Sequence, residues 1–195
     1  MNMRNVNIVA RYESKLLRRD IVFLGFVVIA LVGISLWQMI KQGRVNVFWY
    51  KVALPSSFSF FSMYYYNLVQ VLIALFVCME VVYRERKKDA MEVFLCRPFR
   101  NSEYCIGRFL GIFRMFLFVN ICVLLVCMYI NLWVVGAPFN VWIYVFYLFT
   151  LSIPTLIFVL GCALSISAMV KNRPLSVLVL GLFGLGVYFY LDEWQ

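Results

Sequence analysis

The sequence predicts an all-α integral membrane protein: a polytopic bundle of five transmembrane helices, with an N-terminal interfacial amphipathic helix and a cytoplasmic helix-turn-helix loop between spans two and three. Three observations predict it. Of 195 residues, 65% are hydrophobic and 14% charged, whereas a soluble domain carries about 25% charge. The apolar residues fall in long uncharged runs, the pattern of membrane-crossing helices. The cations, 18 Lys and Arg against 9 Asp and Glu, sit between those runs. A soluble globule could not cover this composition with polar surface. Soluble enzyme, disordered tail and disulfide-stapled secreted module are excluded. Residues 1–195 read as a single transmembrane domain.

Residues 1–20 come first. Val9, Tyr12 and Leu16 share one helical face, and Arg11, Lys15 and Arg18 another. Such a helix lies in the interface, its cations facing anionic headgroups; the plainer alternative is a basic flank without a helix of its own. The apolar run that starts at Ile21 is too long for a signal-peptide core and lacks a small-residue cleavage site. It stays as the first span, 21–40. Val52 to Met79 is uncharged, and Leu54-Pro55-Ser56-Ser57 reads as a loop, so the second span is 58–83. Met115 to Val170 is also uncharged and too long for one crossing. Gly136-Ala137-Pro138-Phe139-Asn140 punctuates it as a turn, giving spans 109–131 and 142–169. A fifth span follows at 174–191.

Orientation follows from the cations. With the N-terminus in the cytoplasm, Arg4, Arg11, Lys15, Arg18 and Arg19 lie inside. So do Arg84, Arg86, Lys87, Lys88, Arg97, Arg100, Arg108, Lys171 and Arg173. Only Lys41, Arg44 and Lys51 lie outside. Arg114, just inside the third span, can snorkel to the inner surface. Five spans then put the C-terminus of this chain outside, in the cell (inner) membrane. The basic charge is topological, with no basic face on a soluble module, so nucleic acid is not a partner; membrane lipid is.

The loop 84–108 is the longest cytoplasmic connection and the most charged. Met91, Phe94 and Leu95 stand at i, i+3 and i+4 on an otherwise polar helix. Pro98 ends that helix by disfavouring helical geometry at Arg97. Asn101 or Ser102 caps the next, which runs into span three. The alternative is a solvated charged loop. The sequence has no histidine and no paired CxxC. Cys78, Cys96, Cys105, Cys122, Cys127 and Cys162 read as small buried hydrophobes, with no metal site and no disulfide.

From Glu85 the loop reads E-R-K-K-D-A-M-E-V-F-L-C-R-P-F-R-N-S-E-Y-C-I-G-R. This resembles the segment between spans two and three of the membrane subunits of type-2 ABC exporters, the ABC-2 permeases. Its usual form there is E-R-x-x-G-T-x-E-x-L-L-x-x-P, followed after a few residues by G-K. Glu85, Arg86, Glu92, Leu95, Pro98 and Gly107 match in type and spacing. Phe94 replaces an apolar Leu, and Arg108 stands for the Lys. Asp89 and Ala90 depart from the family's Gly-Thr. The basic helix before span one is similar to the family's interfacial helix.

The resemblance implies the permease subunit of an ATP-driven ABC exporter, a transporter subunit and not an enzyme. A separate ABC ATPase subunit would grip the 85–98 helix through Glu85, Glu92, Phe94, Leu95 and Pro98. A second permease subunit, in a homo- or heterodimer, would complete the pore. The chain has no G-x-x-x-x-G-K-[ST] loop, so it holds no cofactor, and ATP would be bound by the partner. The family usually has six spans per membrane domain, so five implies a truncated or reduced member or a longer parent chain. A multi-pass assembly or scaffold protein without transport is the alternative; five spans with little polar interior would suit it. An intramembrane enzyme would need buried acids or a base, and none stands at depth.

Within the spans, Asn120, Ser152, Pro154, Thr155, Gly161, Ser165 and Ser167 either line a substrate path or serve helix–helix hydrogen bonding and a proline kink. The second reading is the simpler. Gly107 and Gly111 form a GxxxG, and Gly181, Gly184 and Gly186 line span five, as close-packing or dimerisation surfaces. Glu80 and Arg114, near the inner ends of adjacent spans, either pair or each reach the headgroups.

Overall fold

The computed structural model describes residues 3–45, 55–85, 101–134 and 139–170, together with isolated helical positions between 175 and 186. Among the described residues all regular structure is helical. The order is α1 (Met3–Leu17), α2 (Ile21–Val45), α3 (Pro55–Glu85), α4 (Asn101–Val134), α5 (Val141–Tyr147), a π-helical turn (Leu148–Ser152) and α6 (Ile153–Met169). Helices are the expected solution for apolar runs, because in hydrocarbon every backbone N–H and C=O must find its partner within the segment.

Three stretches are long and apolar enough to cross a membrane: Ser62–Tyr83, Asn101–Leu132 and Val141–Met169. Met3–Leu17 and Ile21–Leu36 make a fourth when counted together as one interrupted span. The described residues thus carry three to four membrane-length elements where the sequence predicts five. Most of the fifth, 174–191, and residues 86–100 of the predicted helix-turn-helix loop lie outside the described residues.

Two boundaries differ from expectation. Leu54–Ser57 was expected as loop, but α3 opens at Pro55. Proline suits the first helical position, where its missing N–H would have had no partner in any case. The fourth predicted span is not one regular helix but α5 and α6 joined through the π-turn. Helix α4, with 34 residues, is about 51 Å long. That exceeds a hydrocarbon core of about 30 Å, so in a bilayer part of this helix would extend past the apolar layer.

The chain divides into two compact units. The first comprises Met1–Asp20, Gln70–Met115 and Leu156–Gln195; the second comprises Ile21–Val69 and Phe116–Thr155.

In the first unit, α1 buries Val6, Val9, Ala10, Glu13 and Leu17, a stripe at helical spacing. Arg4, Arg11, Lys15 and Arg18 are exposed on the other side. Tyr12 does not join Val9 as predicted. It is exposed beside Ile8, and Leu16 is half-buried. At 100° per residue the buried stripe is turned roughly a quarter turn from the predicted apolar face. The helix therefore has three faces: one packed on protein, one apolar and exposed, one cationic.

In the second unit, α2 presents Phe23, Phe26 and Ala30 as its buried stripe. Phe23 meets Phe116 of α4 edge-on with ring centroids 5.5 Å apart, and Phe26 meets the same ring at 5.9 Å. Phe60 of α3 meets Tyr147 of α5 edge-on at 5.6 Å. On α4 the exposed Phe118, Ile121, Leu125, Tyr129 and Leu132 fall on one stripe, the face a bilayer would cover. Cys78 and Cys127 are buried and Cys122 and Cys162 half-buried, but Cys105 is exposed near the start of α4. The reading of all cysteines as buried fails there, because Cys105 stands on the solvent side of the turn whose opposite side holds α1.

Candidate functional site

The first arrangement is a clamp between α1 and the first turns of α4. It depends on two glycines. A Cβ on Gly107 would stand 2.7 Å from Val9 Cβ and 2.8 Å from the Val6 carbonyl oxygen. One on Gly111 would stand 2.7 Å from Glu13 Cβ and 2.8 Å from the Ala10 carbonyl oxygen. Backbone atoms cannot move aside as side-chain tips can. The two helices approach this closely because both positions lack a side chain. The GxxxG is thus used within the chain.

Polar bonds flank the contact. Asn5 Nδ2 donates to Glu103 Oε2 at 3.1 Å. Ser14 Oγ lies 2.8 Å from the Ala10 carbonyl and 3.1 Å from that of Gly111, so its one hydrogen serves either. Arg114 Nη1 donates to Asn7 Oδ1 at 3.1 Å. A long side chain at Arg114 points back toward its helix N-terminus, which brings the guanidinium to α1. Sequence reasoning weighed only Glu80 or the headgroups for Arg114 and missed Asn7. The Arg108 guanidinium lies 6.0 Å over the Tyr104 ring one turn earlier on α4. Glu103 and Arg108 are both buried, so this end of α4 is polar and packed at once.

The predicted ATPase-coupling residues stand next to this clamp in the chain. Glu85 is the last residue of α3. Glu92, Phe94, Leu95 and Pro98 lie outside the described residues. The segment that carries them leaves α3 at Glu85 and enters α4 at Asn101, and both attachment points belong to the first unit.

The second arrangement is polar and buried inside the second unit. Asn67 Nδ2 of α3 donates to the Met63 carbonyl at 2.8 Å and to Ser152 Oγ of the π-turn at 3.0 Å. Asn131 Nδ2 of α4 donates to Tyr144 Oη of α5 at 2.8 Å. Asn120 Nδ2 donates to the Phe116 carbonyl at 2.9 Å. Ser59 and Ser62 of α3 are also buried.

The π-turn has a local cause. Pro154 has no N–H and its ring crowds the carbonyl four residues earlier. The ladder opens to the wider spacing just before it, where the Ile153 N–H bonds to the Leu148 carbonyl. At the other end, Asn140 caps α5 by accepting from the Trp142 N–H at 3.0 Å. Such turns recur at functional places in helices.

Among the residues singled out from sequence, Asn120 and Ser152 belong to this polar interior, and Ser152 serves an interhelical bond. Ser165 Oγ bonds back to the Gly161 carbonyl at 2.8 Å on its own helix. Tyr66, Asn67, Asn131 and Tyr144 were missed. Their signal was weak but present: Asn120, Cys127 and Asn131 recur at helical spacing on one face of an otherwise apolar helix. Among the described residues no three Cys, Asp or Glu side chains come together where a metal could sit. Comparison with family models, curated proteins and solved structures yields no match to this chain.

Proposed function

We propose that this chain is the membrane-spanning permease subunit of an ATP-driven ABC exporter, moved by a separate ATPase that grips the 85–98 segment. The sequence resemblance at Glu85, Arg86, Glu92, Leu95, Pro98 and Gly107 suggests the class. The observation that carries the reading is how that segment is mounted. It joins the end of α3 to the start of α4, and α4 is clamped at once to α1 through Gly107 and Gly111. Force applied to 85–98 would reach two membrane-length helices and the basic helix together. Rigid elements joined to a short lever are how closure of one subunit moves another.

In this reading the N-terminus, the clamp and the 85–98 segment are cytoplasmic, as the cation bias indicates. Met91, Phe94 and Leu95 would fill an apolar groove on the ATPase, while Glu92 and its neighbouring cations set the register by charge pairing. A second permease subunit would face this one, and anionic lipid would meet Arg4, Arg11, Lys15 and Arg18. Buried Ser59, Ser62, Asn67, Asn120, Asn131 and Ser152 give the second unit a polar interior, whose interhelical bonds serve either reading.

The test is gentle purification of the tagged chain from its own host, beside Glu92→Lys, with the retained proteins identified. An ATPase subunit held by the wild type and lost from the variant, with both chains still inserted, is the expected result. No ATPase with either chain would overturn the permease reading in favour of the scaffold.

A further inference from the structure

Arg114 belongs to one helix and is held by another. It is exposed on α4, and its Nη1 donates across to Asn7 Oδ1 of α1 at 3.1 Å. Asn7 stands three residues after Arg4 and four before Arg11. Both are therefore its neighbours on that face of α1, with Cβ atoms about 5–6 Å away. Arg4 and Arg11 are exposed, and the exposed Lys15 and Arg18 continue the same face. The hydrogen bond thus sets a cation of α4 into a basic stripe on α1.

Gathering like charges on one face of a helix is unfavourable, and no acid of either helix offsets them at the surface. Glu13 is the one acid in α1 and Glu103 the one acid in α4, and both are buried. What fits this face is an anion from outside. The Asn7 bond occupies one N–H of the guanidinium. The rest of its planar fork is shaped for two-point pairing with a phosphate.

The level of Arg114 names the source. No charge follows it from Met115 to Val170, so Arg114 marks where α4 would enter hydrocarbon, at the depth of lipid headgroups. On α1, Ile8 and Tyr12 are exposed next to the cations. That apolar surface suits acyl chains and gains nothing from a free ion in water. We infer that Arg114, held by Asn7 beside Arg4 and Arg11, binds the phosphate of an anionic phospholipid and that the lipid thereby ties α1 to α4. This deepens the lipid contact proposed above, resting on the interfacial placement of α1 and not on transport.

The experiment uses the purified full chain in nanodiscs and reads its thermal midpoint. One set holds phosphatidylcholine alone, the other phosphatidylcholine with a minority of phosphatidylglycerol. Phosphatidylglycerol is expected to raise the wild-type midpoint by about 3 °C. Arg114→Gln is expected to lose that shift. Asn7→Ala leaves every cation in place but unties Arg114, and is expected to lose it as well. Arg19→Gln removes an exposed cation just past α1 and is expected to keep it. The midpoints in phosphatidylcholine alone show that each variant is folded.

No shift in the wild type would overturn the site. So would a shift kept by Arg114→Gln or by Asn7→Ala, or one that Arg19→Gln weakens as much as they do, which is the mark of diffuse surface charge. Inorganic phosphate added to the phosphatidylcholine set tests the other source. A rise equal to that from phosphatidylglycerol would put a soluble anion at Arg114 and overturn the lipid. The ATPase purification is scored separately. A phosphatidylglycerol shift without an ATPase leaves the site standing and removes the exporter, and an ATPase without a shift does the reverse.

Discussion

Gly107 and Gly111 show how much can depend on a missing methyl group. Gly107→Ala or Gly111→Ala would press a Cβ onto a carbonyl oxygen of α1, and overpacking of this kind costs about 1–3 kcal/mol. Both variants are expected to lower the thermal midpoint, and Gly107→Leu to detach α1 so that trypsin cuts at Arg11 and Lys15. Unchanged melting and cleavage would show that α1 does not depend on the clamp. The Asn67–Ser152 bond is a smaller matter. Buried interhelical bonds in membrane proteins average about 0.6 kcal/mol and reach about 1.7, so a double-mutant cycle of Asn67→Ala and Ser152→Ala should return a coupling in that range. The glycine spacing was legible in the sequence. Its use was not, because the partner lies about a hundred residues away and is selected by how α1 is turned about its axis.

At the level of elements, the π-turn is the clearest departure from what periodicity foretells. A kink at Pro154 was readable from the residue type. The π geometry was not, because it also depends on what holds the two sides. Tyr144 is tied to Asn131 before the turn, and Ser152 to Asn67 at its end. A π-turn is one extra residue in an α-helix. Deleting Thr150, which is exposed and whose hydroxyl, among the described residues, bonds to the Phe146 carbonyl on its own helix, should let an α-helix kinked at Pro154 form with both ties intact. The expected change in midpoint is under about 3 °C. Deleting Ile157 from α6 should instead rotate everything beyond it by about 100° and prevent stable folding. Equal loss from both deletions would mean that the π-turn is not a spare residue. Helix α3 teaches a simpler lesson: a proline taken as loop punctuation is equally at home as the first residue of a helix.

For the whole molecule, composition was decisive and counting was not. A 65% hydrophobic chain with three to four membrane-length helical elements should stay with membranes through alkaline carbonate extraction; release into the supernatant would contradict the reading of these helices as spans. The number of crossings was harder to read because hydropathy does not tell whether α1 and α2 act as a surface helix and a span or as one interrupted element. The polar interior was half legible. Asn120 and Ser152 stood out in uncharged runs, whereas Tyr66 and Tyr144 looked like ordinary aromatics among the 18% in this chain until their hydroxyls were found buried.

The bonds that hold α1 join residues 97 to 107 positions apart, which sets an order of assembly. At about 5–20 residues per second of synthesis, α1 is made several seconds before its glycine groove exists. If α1 is interfacial, its apolar stripe would rest on the membrane surface during that interval, with its cations toward the headgroups. A nascent chain arrested near residue 100 should therefore carry an α1 open to protease, and one arrested well past residue 114 a protected one. The oldest helix on the chain would be among the last to find its place.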